Sequence, residues 1–273
     1  MEELDRKKLQ KKLLSLTKEV DRICRKNNIT YCLIGGSTIG AVRHKGFIPW
    51  DDDMDIGFLR EDYNRFLAAC KNDLNSDYFI QTCDTDENYI YAHAKLVIKH
   101  TVFIEEGHEK TKEIKGIFID LFPFDHVAKN KKDKERQKHR IYLCQKLLRQ
   151  KCKIADSPSW SIKQIIFARC LSAVSVFISK KTIMRVLLRT MTKYNEENGP
   201  LIANMSGLYG FEKETIPAQY FEELIEVPFE NEQFYIMKEY DAYLKHIYGD
   251  YMVLPPVEKR VAHKIIEIVF NDK

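Results

Sequence analysis

Four of the five residues from Asp51 to Asp55 are aspartate, and the chain runs on into Ile56-Gly-Phe-Leu59, so carboxylates and core residues share one short segment. The run Asp53–Leu59 reads as a strand, and on a strand residues i and i+2 share a face. Asp53 and Asp55 then point together, Asp51 shares their parity, and Met54 and Ile56 point into the core. Carboxylates ~6–7 Å apart along a strand repel each other unless positive charge lies between them. A divalent cation with oxygen ligands, Mg²⁺ or Mn²⁺, relieves that repulsion and leaves room for substrate phosphates. A further carboxylate, Asp120, interrupts the apolar strand Gly116-Ile-Phe-Ile-Asp-Leu-Phe122, where an unpaired charge is costly. If the two strands are neighbours, Asp51, Asp53, Asp55 and Asp120 form a metal-binding set laid out for phosphoryl transfer. An Asp-rich turn alone is commonly just a solvated loop. Here Asp120 and an upstream Gly35-Gly36-Ser37 turn argue for chemistry.

That turn lets the backbone approach a phosphate, and a helix starting at Ser37 and running to about His44 would offer free N–H groups. Arg43 and Lys45 follow and are placed either to neutralise a diphosphate or to satisfy the helix C-terminus. Trp50, beside the acidic strand, is a core residue or an aromatic wall for a small cation.

The rest of the chain supports an α+β reading. Leu9, Leu13, Leu16, Val20 and Ile23 mark an amphipathic helix over residues 3–27. A strand at Tyr31–Ile34 comes next, and Glu61–Leu74 is helical through Tyr63, Phe66, Leu67 and Cys70. Strand-like runs lie at Tyr78–Thr82, Tyr89–Ile98, Val102–Glu105 and Gly116–Phe122, the last ending at Pro123. Beyond residue 125 the pattern predicts helices: Lys129–Lys153, a breaker at Asp156–Ser159, a long helix or pair over Trp160–Tyr194, and a last helix near Glu232–Ile247 in an aromatic-rich tail. The corresponding division is a catalytic core over 1–128, a basic helical region over 129–199 and a tail over 200–273 packing on the core.

Charge is uneven. Residues 129–193 hold 18 Lys/Arg and three acids, so the net of +4 for the whole chain conceals a basic block between acidic flanks. Such a block suits a polyanion, and the anionic membrane surface is the candidate partner for 129–193. Gln164–Ser179, mostly apolar, fits a core helix first and an interfacial helix second. Nucleic acid is not expected, because the basic residues lack an interleaved aromatic platform. No apolar run reaches the length of a spanning helix, and the charged N-terminus is unlike a signal peptide. The expected location is the cytoplasm, with peripheral contact at the inner membrane face. Seven cysteines without CxxC spacing read as reduced thiols.

The run GGSTIGAVRHKGFIPWDDDMDIGF, with KGIFIDLFPFD at 115–125 and YLKHIYGDYMVLPP at 243–256, closely resembles the signature of the LicD family, phosphocholine transferases related to fukutin-related protein. The resemblance implies a nucleotidyltransferase fold like that of DNA polymerase β, carrying the basic helical region as an insertion. It matches Gly36-Ser37 to the family's turn, Asp53 and Asp55 to its D-x-D, Asp120 to its third acid, and Asp51 and Asp52 to its leading aspartates. Lys95 matches a family lysine, although the arginine expected two positions later is Val97 here. Family enzymes take a phospho-alcohol, best known as phosphocholine, from a CDP-activated donor. They place it on a sugar hydroxyl of a glycan or glycolipid precursor, such as lipopolysaccharide or teichoic acid, and release CMP. Phosphoribitol and phosphoglycerol donors occur among relatives.

On this reading Asp53, Asp55 and Asp120 are catalytic, with Asp120 as general base. Gly36, Ser37, Arg43, Lys45, Trp50 and Lys95 bind substrate. Tyr243, Tyr248 and Tyr251 would stack on a base, surround a trimethylammonium group or simply pack on the core. His263 reads as a surface residue. The alternative enzyme is an NTP-dependent nucleotidyltransferase acting on a sugar or RNA, and a non-catalytic scaffold is disfavoured by the intact aspartates.

Overall fold

The computed structural model describes residues 3–152, 169, 176–260 and 263–271. Helix α1 (Glu3–Asn27) lays Leu9, Leu13, Leu16, Val20 and Ile23 against the sheet as fully buried side chains. Each contributes about 1.5–3 kcal/mol of apolar burial. Strand β1 (Cys32–Leu33) leads into α2 (Gly35–Ile39), a single turn continued by a π-helical turn at Gly40–His44. A loop follows, then β2 (Asp55–Leu59), α3 (Arg60–Asp73), β3 (Tyr78–Gln81), β4 (Ala94–Ile98), β5 (Val102–Glu105) and β6 (Phe118–His126). The C-terminal part comprises α4 (Lys131–Lys151), α5 (Lys180–Thr192), β7 (Leu201–Asn204), β8 (Thr215–Pro217), β9 (Leu224–Phe229), β10 (Glu232–Met237), α6 (Tyr240–Tyr248) and β11 (Ile265–Val269).

The main sheet is mixed, in the order β1-β2-β6-β4-β3, with β7 and β8 added alongside β6. Strands β2 and β6 are parallel, and β6 is antiparallel to β4 and β7. Ile56, Ala94, Leu96, Ile119 and Leu121 fill the core on one face with α1 and α3. The alternate residues Asp55, Lys95, Asp120 and Phe122 line a cavity on the other face.

Strand β6 does not stop at Pro123. Its register with β4 ends at Leu121, its register with β7 begins at Phe124, and Pro123 falls between the two partners. The N–H that proline lacks is therefore not missed there. The run Tyr89–Ile98 is a strand only from Ala94, with Tyr89 and Ile90 buried in an irregular segment.

The prediction of helices after residue 125 is corrected most. Five strands follow α5, and the helix expected near Glu232–Ile247 divides into β10 and α6. Phe234 and Ile236 alternate into the core, and β10 pairs with β9 through a two-residue turn in which Glu230 takes φ +53°. Residues 201–237 are thus built into the sheet and core, through β7, β8 and the β9–β10 hairpin.

Helices α4 and α5 pack on each other through Ile141, Cys144, Leu148, Ile183, Leu187 and Met191. Lys131, Lys132, Arg136, Lys181 and Arg185 stay exposed on their outer faces. The breaker at Asp156–Ser159 and most of the apolar stretch Gln164–Ser179 lie outside the described residues. Among the described residues no helix is long and apolar enough to cross a membrane.

Candidate active site

The parallel register of β2 on β6 sets Asp55 directly beside Asp120, and the antiparallel register of β4 sets Lys95 on the other side of Asp120. Three charged side chains therefore form a row across three strands. The loop before β2 adds Asp51, Asp52 and Asp53, and together these residues line a cavity of about 920 Å³. Gln10 of α1 holds that loop, donating from Nε2 to the carbonyls of Ile48 (3.3 Å) and Asp51 (3.0 Å).

The glycine turn is packed against these acids. A Cβ on Gly36 would stand 3.4 Å from Asp51 Oδ2, and one on Gly35, at φ +57°, would stand 3.3 Å from both Asp55 Oδ2 and the Tyr248 hydroxyl. The Gly35 N–H donates to the Tyr243 hydroxyl (3.0 Å), which fixes α2 to α6. Ser37 is not a helix cap. Helix α2 begins at Gly35, and Ser37 Oγ is buried and accepts from the Asp55 N–H at 2.9 Å, anchoring the start of β2.

Arg43, Trp50 and Lys95 line the cavity with the acids. Arg43 donates to the Tyr251 carbonyl, and the Arg260 guanidinium lies 5.0 Å from the centroid of the Trp50 ring. The Lys95 ammonium sits 3.3 Å from the centroid of Phe118. Lys45 is not brought to the cavity. It is exposed, adopts φ +56°, and uses its carbonyl to accept from the Glu230 N–H.

Sequence reasoning missed two histidines. Pairing of β11 with β5 carries His263 over the acidic loop, where Nδ1 donates to Asp52 Oδ1 at 2.9 Å and lies 3.9 Å from Asp53 Oδ2. The side chain of His263 is 45% exposed and that of Asp52 only 1%, so this imidazole covers a buried charge rather than standing free on the surface. His93 Nε2 stands 3.0 Å from Asp120 Oδ1, near enough to pair charges but out of line for a hydrogen bond. No local sequence pattern marks either contact.

The electrostatics suit a cation. Burial and the neighbouring Asp53 and Asp52 push the Asp51 carboxyl up to about 8. Burial, with Asp52 and Asp120, pushes Asp53 up to about 6 against the opposing pull of His263. Asp55 is raised by burial and by Asp53, Asp120 and Asp51. Burial also acts to raise Asp120, but Lys95 and His93 outweigh it and hold this carboxyl below its usual range. Oδ2 of Asp52 and Oδ1 of Asp120 are buried without a hydrogen-bond partner, the mark of oxygens arranged for something other than protein donors. Asp52, Asp53 and His263 bring one ligand atom each within 4.8 Å of one another. The residues present therefore fit a divalent cation, with Asp52 and His263 beside the four acids read from the sequence.

The pH dependence follows in sign. Asp51 and Asp53 have folded values above the unfolded 3.8, so the stability they contribute is complete below about 4 and is lost as pH rises through about 6 and about 8. His263, raised to about 9 first by its hydrogen bond to Asp52, adds stability that is complete below 6.5 and lost as pH passes about 9. The cation-free protein is expected to melt at a lower temperature at about pH 8.5 than at about pH 5.5, with Mg²⁺ raising the melting temperature more at the higher pH. Equal Mg²⁺ shifts at both pH values in scanning fluorimetry would remove the cation from this cluster.

Comparison with known proteins agrees with this centre. Residues 28–155 match the family model described as LicD/FKTN/FKRP, nucleotidyltransferase domain. The chain is 31% identical over 277 residues to the lipopolysaccharide cholinephosphotransferase LicD of Haemophilus influenzae, covering 98% of each chain. It is 48% identical over 124 residues to an uncharacterised protein of Rickettsia typhi, covering 44% of this chain and 38% of that one. A 34-residue segment is 53% identical to the human ribitol 5-phosphate transferase FKRP, covering 12% of this chain and 7% of that protein.

Proposed function

The chain belongs to the LicD family, and from that premise we propose that it moves phosphocholine from CDP-choline to a sugar hydroxyl of a lipopolysaccharide-type glycan, releasing CMP. One observation carries the reading: Asp55 and Asp120 stand side by side on parallel strands, joined by the acidic loop and flanked by Lys95, in a cavity large enough for a nucleotide-linked donor. Carboxylates converging from the loop before β2 and from a central sheet, packed against a glycine turn, also support a centre of nucleotidyltransferase type within residues 28–155.

Asp53, Asp55 and Asp120, with Asp51 and Asp52 behind them, would hold Mg²⁺. When bound, the cation supplies positive charge against the donor's diphosphate and the departing CMP. The protein's own cations extend this role. Arg43 lines the cavity close enough to Arg260 for their charges to repel, and a diphosphate would relieve that repulsion. Trp50, stacked under Arg260, offers a flat wall for the nucleotide base. The acceptor hydroxyl forms its bond to the phosphorus carrying the alcohol as the bond to CMP breaks, and its proton passes to a carboxylate of the centre. Asp120, kept anionic by Lys95 and His93, would serve as a ligand and, as expected from the sequence, as acceptor of that proton.

The test is CMP release from a panel of CDP-alcohols with Mg²⁺ and lipopolysaccharide precursors. Release from CDP-choline is the expected result. Pyrophosphate release from an NTP, with no CMP from any CDP-alcohol, would overturn this reading in favour of nucleotidyl transfer.

A further inference from the structure

One wall of the cavity is used neither by the acidic centre nor by the arginines around Trp50. It is made by Glu214, Tyr209 and Tyr248. Glu214 is only 6% exposed, yet its carboxylate has a single recorded donor, the Tyr209 N–H at 3.3 Å from Oε1. Among the described residues no lysine, arginine or histidine pairs with it, and burial pushes its carboxyl up to about 7 against the Tyr209 N–H. The carboxylate lies flat against the loop after β7, where a Cβ on Gly207 would stand 2.1 Å from Oε1. Only glycine admits it at that place. Beside it the Tyr209 and Tyr248 rings meet edge to face, with centroids 5.2 Å apart. The Tyr248 hydroxyl shares the space over Gly35 with Asp55 Oδ2, so this wall adjoins the acids that handle the phosphate.

A buried, unneutralised carboxylate is expensive, and aromatic faces attract a cation. Other parts of the cavity carry Arg43, Lys95, Arg149 and Lys259, and this wall carries no positive side chain. Resting on the transfer reading above, we propose that Glu214, Tyr209 and Tyr248 form the seat for the cationic head of the transferred alcohol, an alkylated ammonium group. The wall thereby selects amino-alcohol donors over ribitol or glycerol donors.

The test compares CDP-choline with its neutral isostere, the CDP ester of 3,3-dimethylbutanol, in which a tert-butyl group replaces trimethylammonium. Binding is read by calorimetry and turnover by CMP release. The wild-type protein is expected to prefer the cation by about tenfold or more. Glu214→Gln keeps the acceptor for the Tyr209 N–H and removes the charge, so the preference should fall to about one, with the change in KM for the cationic donor. Tyr209→Leu, at a half-exposed loop residue where folding is not at stake, should lower the preference in part. A wild-type preference near one, or a preference that survives both substitutions, overturns the seat. Turnover of CDP-ribitol without discrimination in binding would sink this inference and leave the transfer reading standing. Discrimination in binding that Glu214→Gln abolishes, with no CMP released from any donor, would uphold the seat and sink the transfer reading.

Discussion

Asp53→Asn is expected to reduce CMP release by roughly a thousandfold, about 4 kcal/mol at 1.36 kcal/mol per factor of ten, while leaving the fold intact. Asp53 lies where the loop aspartates, Asp120 and His263 all act on it. An amide of the same shape neither binds a divalent cation well nor carries the charge that offsets His263. The stability effect runs the other way. In the cation-free protein at neutral pH, the Asp53 carboxylate is held ionised against burial and against Asp52 and Asp120. Removing that charge relieves repulsion, so the variant should melt no lower than the wild type without Mg²⁺. The Mg²⁺-dependent rise in melting temperature should shrink or vanish. Turnover near the wild-type rate would exclude Asp53 from the catalytic centre. A large fall in melting temperature would show that the residue serves the fold instead.

Asp125→Ala is expected to cost about 3–5 kcal/mol of stability, because it strands a buried guanidinium. Arg60, at the start of α3, donates from Nε and Nη2 to the two Asp125 oxygens at 2.8 and 2.6 Å. Asn195 Nδ2 donates to the same carboxylate at 2.7 Å, and Asn195 Oδ1 accepts from the His126 N–H. The Asp125 side chain is 1% exposed and that of Arg60 13%, so water cannot replace the lost partner. The clamp ties β6, α3 and the turn after α5 together at the point where β7 joins the sheet. For a chain of this size the loss corresponds to roughly 6–20 °C in melting temperature, read by calorimetry or urea titration. A shift within a degree or two would mean that the pair contributes nothing beyond its packing volume.

These two residues also mark what could be read from the sequence. The period of α1 and the parity of Asp53, Met54, Asp55 and Ile56 are local, and the structure places Met54 and Ile56 in the core as that parity requires. The meeting of Asp55 and Asp120 follows once two apolar strands are taken as neighbours. His263, Glu214 and Asp125 were not legible as they stand. Each acquires its role from a partner that only strand pairing or loop packing supplies: β5 with β11, the loop after β7, or the β6–β7 junction. The β9–β10 hairpin escaped for a different reason. Its turn is Glu230-Asn231, without the glycine that usually marks a two-residue connection, so nothing local marks the two strands as a pair. Ser37 reads as a cap from its position at the head of a helical run, but its hydroxyl accepts from a strand 18 residues away.

The contact between His263 and Asp52 joins residues 211 positions apart. A link over that span carries a large loop-closure entropy, and nothing local helps to form it. During translation the aspartate loop emerges early, and its mutual repulsion is answered by no imidazole until β11 has left the ribosome and docked on β5. The parts of the acidic centre therefore arrive in order along the chain: the aspartate loop first, Asp120 with β6, and the imidazole of His263 after both.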